Sequence, residues 1–126
     1  MMPRSWLPFQ LNRGPIVSVR IGPDRYRALI DTGADLSMVA PGLTLRLGLA
    51  QKGKHTIVGL AGNHETLKVV ELPEIGFAST LLEPCQAAVF EVSNLGLPIE
   101  LLLGVNAFRN QRLQFDFKEG RIYVIE

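Results

Sequence analysis

The sequence predicts an all-β protein that closes into a small barrel or sandwich and has one short helix. Short runs of alternating or continuous apolar residues are separated by glycine and proline along the 126 residues, which include 12 glycines and 8 prolines. That pattern is typical of strands joined by tight turns. No long stretch repeats apolar residues at helical spacing. Many short strands and few helices favour a single compact β domain.

The first predicted elements are a hairpin and a short helix. Residues 14–31 alternate apolar and polar side chains in two arms, "GPIVSVRIG" and "YRALID", and the turn between them is predicted to centre on Pro23 and Asp24. The segment "APGLTLRLGL" predicts a short helix. Proline suits the first turn of a helix, and Gly48 suits its end.

Further short elements follow. The segment "HTIVGLAGNHETLKVVEL" predicts two β arms around a glycine-bracketed tip, because glycine supplies the backbone freedom that a hairpin tip needs. The segments "EIGFAS" and "QAAVFEV" predict single strands, and the apolar run "LPIELLLG" predicts a strand buried on both faces. The segment "GVNAFRNQ" suits one or two helical turns, and residues 113–125 alternate as a closing hairpin.

Composition and charge limit the classes of partner. The 13 basic and 12 acidic residues are spread along the chain and give a net charge of +1, so neither a nucleic acid nor a membrane is a predicted partner. No apolar signal core precedes Pro8, and no apolar run is long enough to span a bilayer. We expect a soluble, cytoplasmic protein with an N-terminal arm over residues 1–13, either loose or an edge strand, and one domain over residues 14–126. Trp6 is expected to be a packing anchor.

Thiol and metal chemistry find little support in the sequence. Cys85 is the single cysteine, which excludes an intramolecular disulfide and a cysteine zinc cluster. We expect it to be a small buried hydrophobe. His55 and His64 are not spaced as a ligand pair on one element, so surface positions are predicted for both. No metal and no cofactor are predicted.

One stretch, "ALIDTGADLSMV", places a carboxylate directly after an apolar run. Asp31 ends that run and precedes Thr32 and Gly33. A lone buried carboxylate is costly, so Asp31 either caps its own backbone in a turn or belongs to a site where a partner adjusts its ionisation. A phosphoryl-transfer site is disfavoured, because the sequence has few helix signals between strands and no phosphate-cradling GxxxxGK string.

The stretch resembles the active-site segment of the retropepsin-like aspartic proteases, the family of the retroviral proteases. That family has apolar residues before Asp-Thr-Gly-Ala and a serine a few places later, as here in Leu29 to Ala34 and Ser37. The family's order continues with a glycine-rich flap hairpin, an apolar-apolar-Gly strand that leads into a short helix, and a closing hairpin. The matching segments here are Ile57 to His64, Leu102 to Gly104 followed by Asn106, and residues 113–125.

The resemblance implies a single-lobe acid-protease β-barrel that works as a two-fold homodimer. The chain has one Asp-Thr-Gly, so a second copy would supply the other Asp31. Two carboxylates about 3 Å apart share one proton, and one then activates a water while the other protonates the scissile carbonyl. Thr32 and Gly33 complete the implied catalytic turn. The implied activity is an aspartic endopeptidase that needs no cofactor.

The resemblance also implies where an extended polypeptide substrate would bind. Ala34 and Asp35 would lie along its main chain, and the flap would cover it as an added strand does. The implied flap residues are Ile57, Val58, Gly59, Leu60, Ala61 and Gly62. Alternatives stay open for this set: Asp35 as a solvated or helix-capping acid, the glycines as turn residues, and the apolar flap residues as part of the core.

One departure from the family's pattern concerns Asp35. Retroviral enzymes have an arginine directly after the helix-opening glycine, and it pairs with the acid four places after the catalytic aspartate. Here that place holds Val105. Asp35 then needs another donor, for which Arg109, Arg112 and water are the candidates. A catalytically silent dimer of the same barrel, used for peptide binding or assembly, is the alternative function.

Overall fold

The computed structural model describes residues 3–10, 14–58 and 62–125. Strands dominate these residues, together with one α-helix, α1 (Pro41–Leu47), and 3₁₀ turns at Val92–Leu95 and Val105–Ala107. The strands are β1 (Pro3–Pro8), β2 (Ile16–Ile21), β3 (Asp24–Ile30), β4 (Ser37–Val39), β5 (Gln51–Val58), β6 (His64–Leu72), β7 (Ile75–Phe77), β8 (Thr80–Leu82), β9 (Cys85–Val89), β10 (Leu101–Leu103), β11 (Arg112–Asp116) and β12 (Arg121–Ile125). The predicted all-β architecture with one short helix is confirmed. Strands β4 and β8 were not predicted.

The described strands form two sheets around a shared core. One sheet has the order β5-β6-β9-β4-β10-β3-β2-β7-β8, and the other has the order β1-β12-β11. Side chains of both sheets meet in one apolar cluster, in which Phe77 from the first sheet and Ile122 from the second are fully buried. Burial of such apolar surface is the main force that holds the sheets together.

The first hairpin forms as predicted, but its turn is shifted by one residue. Strands β2 and β3 pair antiparallel, with Ile21 opposite Asp24, so the two turn residues are Gly22 and Pro23. Gly22 has a φ of 58°, which glycine adopts without steric cost. The prediction of a turn centred on Pro23 and Asp24 is therefore wrong, because the glycine takes the first central position of a two-residue turn.

Helix α1 begins and ends where the sequence indicates. Pro41 stands at its start, and Gly48 follows its end in the left-handed conformation, with a backbone N–H bonded to the last carbonyls of the helix. Leu43 is its one fully buried side chain and anchors it to the core. No helix in the described part of the chain is both long enough and apolar enough to cross a membrane.

The arrangement of β3, β4 and β10 positions the Asp-Thr-Gly turn. Strand β10 lies between the other two, parallel to β3 and antiparallel to β4. All three of its residues are buried, as predicted for a strand covered on both faces. Because β3 and β4 are consecutive, the loop over residues 31–36 must cross the carboxyl end of β10. That crossing brings the Asp-Thr-Gly turn to Gly104.

The N-terminal segment is an edge strand, one of the two alternatives that the sequence leaves open. Strand β1 pairs antiparallel with β12, and Trp6 lies opposite Tyr123. The Trp6 ring packs under the Arg121 guanidinium, whose central carbon is 4.6 Å from the ring centroid. The predicted boundary between residues 13 and 14 borders residues 11–13, which lie outside the described ranges, and it stays a prediction.

The two predicted β arms form a long hairpin. Strands β5 and β6 pair antiparallel from Gln51 to Val58, with a register shift near Lys52. Leu67 and Val69 of β6 are buried, whereas residues 51–56 of β5 are exposed. The hairpin is therefore attached to the core along β6 only. His55 and His64 are both exposed, as predicted.

Candidate active site

Asp31 lies directly after β3, where the chain leaves the sheet. Its backbone N–H donates to the Leu103 carbonyl oxygen over 2.9 Å, which extends the pairing of β3 with β10 by one residue. The residue is half-buried. The backbone of Asp31 is thus fixed by the sheet, while its carboxylate remains open on one side.

The Asp-Thr-Gly turn holds the carboxylate in place. The Gly33 N–H donates to Asp31 Oδ1 over 3.0 Å, and the Ala34 N–H donates to the Asp31 carbonyl over 3.2 Å. A Cβ on residue 33 would lie 3.3 Å from that same Oδ1, so glycine allows the close approach. The Asp31 carboxylate does cap the backbone of its own turn, which is one of the two interpretations that the sequence allows. That cap uses one carboxylate oxygen and is compatible with a chemical role for the other.

Gly104 lets the loop pass directly over the end of β10. A Cβ at this position would lie 2.5 Å from the Ala34 carbonyl oxygen, a distance that real Cβ atoms do not adopt. The same carbonyl accepts a hydrogen bond from the Val105 N–H over 2.8 Å. The glycine of the apolar-apolar-Gly run is therefore required by packing against the Asp-Thr-Gly loop.

A buried polar network ties this loop to the 3₁₀ turn that follows β10. Asn106 Oδ1 accepts from the Ser37 N–H over 2.9 Å and from the Ser37 hydroxyl over 2.8 Å. Ser37 Oγ in turn accepts from the Gly104 N–H over 3.0 Å, and Asn106 Nδ2 donates to the Gln86 carbonyl over 2.7 Å. Ser37 is fully buried. The sequence places both residues in the family's pattern but does not reveal that they bond to each other.

Cys85 lies beside this network and is buried, as predicted. Burial raises the pKa of the Cys85 thiol, and a hydrogen bond with Ser37 opposes that rise. A thiol that stays protonated is a poor nucleophile. Cys85 therefore packs as a small hydrophobe.

Asp31 opens into a cleft of about 250 Å³. Apolar side chains form most of its walls, from the 3₁₀ turn after β10 and from β11. The lining residues include Leu103, Val105, Phe108, Leu113 and Phe115. Val105 is 49% exposed, and Phe117, which stacks on Phe115, is 63% exposed. The carboxylate thus sits beside an exposed apolar surface.

Asp35 is exposed and is held through its backbone. Its carbonyl accepts from the Asn106 N–H over 3.3 Å. No salt bridge joins Asp35 to Arg109 among the described residues, and the donor for the Asp35 carboxylate stays a prediction. The arrangement fixes the loop through Asn106 and Ser37 instead.

The β5–β6 hairpin, whose tip is the predicted flap, has two different faces over its described residues. Ile57 pairs across the strands with Glu65 and is half-buried, on the face that also carries buried Leu67. Val58 lies on the opposite face and is 63% exposed. Gly62 has a φ of 82°, as a turn residue does. The predicted flap residues Gly59, Leu60 and Ala61 lie outside the described residues.

Comparison with protein-family models finds a match to the aspartyl protease family over residues 17–107. That span covers more than half of the chain and includes the Asp31 turn, the flap arms, Gly104 and Asn106. A search of curated proteins found no significant match.

Two solved structures share the fold at low sequence identity. A retropepsin-like aspartic protease from Rickettsia conorii has a TM-score of 0.64 and 12% identity, and the match covers 94% of this chain and 87% of that one. The retroviral protease-like domain of Ddi1 from Leishmania major has a TM-score of 0.62 and 16% identity, and the match covers 88% of this chain and 91% of that one. The chain belongs to the aspartyl protease family and has the retropepsin-like fold.

Proposed function

We propose that this chain is an aspartic endopeptidase whose hydrolytic centre forms when two copies bring their Asp31 carboxylates together. The observation that carries the proposal is the placement of Asp31 at the end of β3, half-buried in a cleft, with one oxygen held by the Gly33 amide. In the described ranges no cation pairs with this carboxylate. It is available to a water molecule or to a second carboxylate.

Two carboxylates are needed because the reaction requires a base and an acid at once. One carboxylate takes a proton from water while the other, protonated, donates to the carbonyl oxygen of the scissile bond. Carboxylates about 3 Å apart divide these roles, since their like charges disfavour double ionisation and one proton is shared. One chain supplies a single Asp31, so a two-fold axis beside it would supply the other.

The surface around the cleft supports such a dimer. Val105 and Phe117 are exposed apolar residues close to a polar site, and Leu113 and Phe115 are only half-buried in the cleft. Apolar surface of this kind around a polar centre is typical of a protein interface. Thr32 is exposed beside Asp31, where its hydroxyl would bond across the axis and fix the two turns relative to each other.

An extended polypeptide is the substrate that this site would accept. The β5–β6 hairpin would cover the peptide, with Ile57 on the face directed toward the protein body. Asp35 is exposed and its carboxylate has no partner in the described part of the chain, so it would accept a main-chain N–H of the peptide. The catalytically silent alternative is not favoured, because the Asp-Thr-Gly sequence is intact and the Gly33 N–H donates to the Asp31 carboxylate.

The proposal is tested by peptide cleavage with wild type and Asp31→Asn. Asparagine keeps the oxygen that accepts from Gly33 but cannot act as an acid or base, so we expect a loss of activity of about 10²- to 10⁴-fold without loss of folding. Asp116→Asn is the matched control, because Asp116 Oδ1 also accepts a backbone N–H, from Glu119 over 2.9 Å, outside the cleft. Equal turnover by wild type and Asp31→Asn on an apolar-rich peptide library, or none by wild type between about pH 3 and 8, would contradict the proposal.

A further inference from the structure

A second cleft borders the far end of the Asp31 loop, and we infer that it selects substrates with an acidic side chain close to the scissile bond. This inference rests on the proposed function and names a substrate class for it. The cleft has a volume of about 570 Å³ and separates the loop from the base of the flap hairpin. Asp35 lines one wall, and Lys52, Lys54 and His55 line the other.

The charge in this cleft is unbalanced. Lys52, Lys54 and His55 are exposed, and none of them makes a salt bridge within the described residues. Asp35 is the one acid among the lining residues, and it stands against two permanent positive charges. The cleft therefore attracts a negative group.

The hairpin itself carries an unrelieved like-charge contact. Lys54 lies directly opposite Lys68 across the β5–β6 pair, and like charges in that position destabilise a hairpin. An anion bound at the cleft wall would relieve the repulsion. The substrate, rather than the free protein, would then supply the missing negative charge.

The cleft is also placed where an extended peptide would pass. Strand β5 is the edge strand of the large sheet, and an edge strand presents backbone groups to which a peptide can add. Asp35 is four residues after Asp31, so their Cα atoms lie at most about 14 Å apart. An extended substrate rises about 3.3 Å per residue, which puts the preferred acidic side chain within about four residues of the cleaved bond.

The test compares matched peptides that carry Glu, Gln or Lys at one position within this reach. For wild type, we expect kcat/KM to be about 3- to 10-fold higher with Glu than with Gln, through KM, and lower still with Lys. Rising salt should shrink the preference, because the screening length falls from about 10 Å at 0.1 M to about 3 Å at 1 M.

Charge-removing variants locate the effect. Lys52→Gln combined with Lys54→Gln should give equal kcat/KM values for the Glu and Gln peptides. Arg25→Gln is the matched control, since it removes one exposed positive charge from β3, away from the hairpin and outside the cleft, and it should keep the preference.

Two outcomes would overturn the inference: no preference for Glu in wild type, or an equal loss on all peptides in the double variant. Either can occur while wild type still cleaves the Gln peptide and Asp31→Asn does not. Failure of the inference is thus distinguishable from failure of the proposed function.

Discussion

The Asp31 loop and the β5–β6 hairpin face each other across the second cleft, yet they are held in opposite ways. The Asp31 loop is bonded to β10 and to the 3₁₀ turn after it, and its Ser37 side chain is completely buried. The flap hairpin bonds mainly to itself, and residues 51–56 of β5 are exposed. One region is fixed by the core, and the other is attached to it along β6 alone.

The difference follows from what each region would do. Groups that take part in proton transfer must be held within a few tenths of an ångström, which packing and buried hydrogen bonds achieve. A segment that covers a substrate must open to admit it, and such segments come from the least stable parts of a fold. The next predictions therefore perturb the two regions in matched ways.

The largest stability effect is expected at Gly104. Gly104→Ala drives a methyl group against the Ala34 carbonyl, and backbone cannot yield as a flexible side chain does. We expect a loss of about 3 kcal/mol in the free energy of unfolding, measured by urea denaturation.

Gly42→Ala is the control for that substitution. A Cβ on Gly42, in helix α1, would meet nothing within 4 Å. Alanine there should be neutral or stabilising by about 0.5 kcal/mol. If Gly104→Ala and Gly42→Ala change the free energy of unfolding equally, the close contact between Gly104 and the Asp31 loop does not contribute to stability.

A smaller loss is expected when the buried network is cut. Asn106→Ala leaves the buried N–H of Ser37 without its acceptor and should lower the free energy of unfolding by about 2 kcal/mol. Because the network holds the Asp31 loop, kcat should fall as well, whereas KM changes less.

The smallest effect is expected for a hydrogen bond of the flap hairpin. The hydroxyls of Thr56 and Thr66 lie 3.1 Å apart across the two strands and are exposed. Thr56→Val should change the free energy of unfolding by less than about 0.5 kcal/mol, because water replaces the lost partner. If Thr56→Val lowers the free energy of unfolding as much as Asn106→Ala does, the hairpin is held as firmly as the Asp31 loop, and the difference between the two regions is wrong.

Much of the fold is readable from the sequence, because strand alternation and glycine or proline punctuation are local signals. Helix α1, the first and last hairpins and the buried strand β10 all follow from such signals. The turn at Gly22 was misplaced because two adjacent turn-forming residues compete for the same position. Strands β4 and β8 were missed because each has only three residues and begins with a buried polar one, Ser37 or Thr80.

The candidate site is only partly readable, because its contacts join distant segments. Asp31, Thr32 and Gly33 are contiguous and therefore visible as a motif. The bonds between Ser37 and Asn106 span 69 positions, and no local pattern encodes them. The second cleft is equally hard to predict from the sequence, because Asp35 lines one wall and lysines that follow helix α1 line the other.

Mixing of subunits shows whether each site needs one Asp31 from each of two chains. Wild type is unfolded and refolded together with Asp31→Asn, and cleavage is measured per wild-type chain. We expect about half the activity per wild-type chain at a one-to-one ratio and about one tenth with a ten-fold excess of the variant, because mixed dimers lack one carboxylate. If activity per wild-type chain does not change with the proportion of variant, a single chain suffices for cleavage and the proposed shared site is wrong.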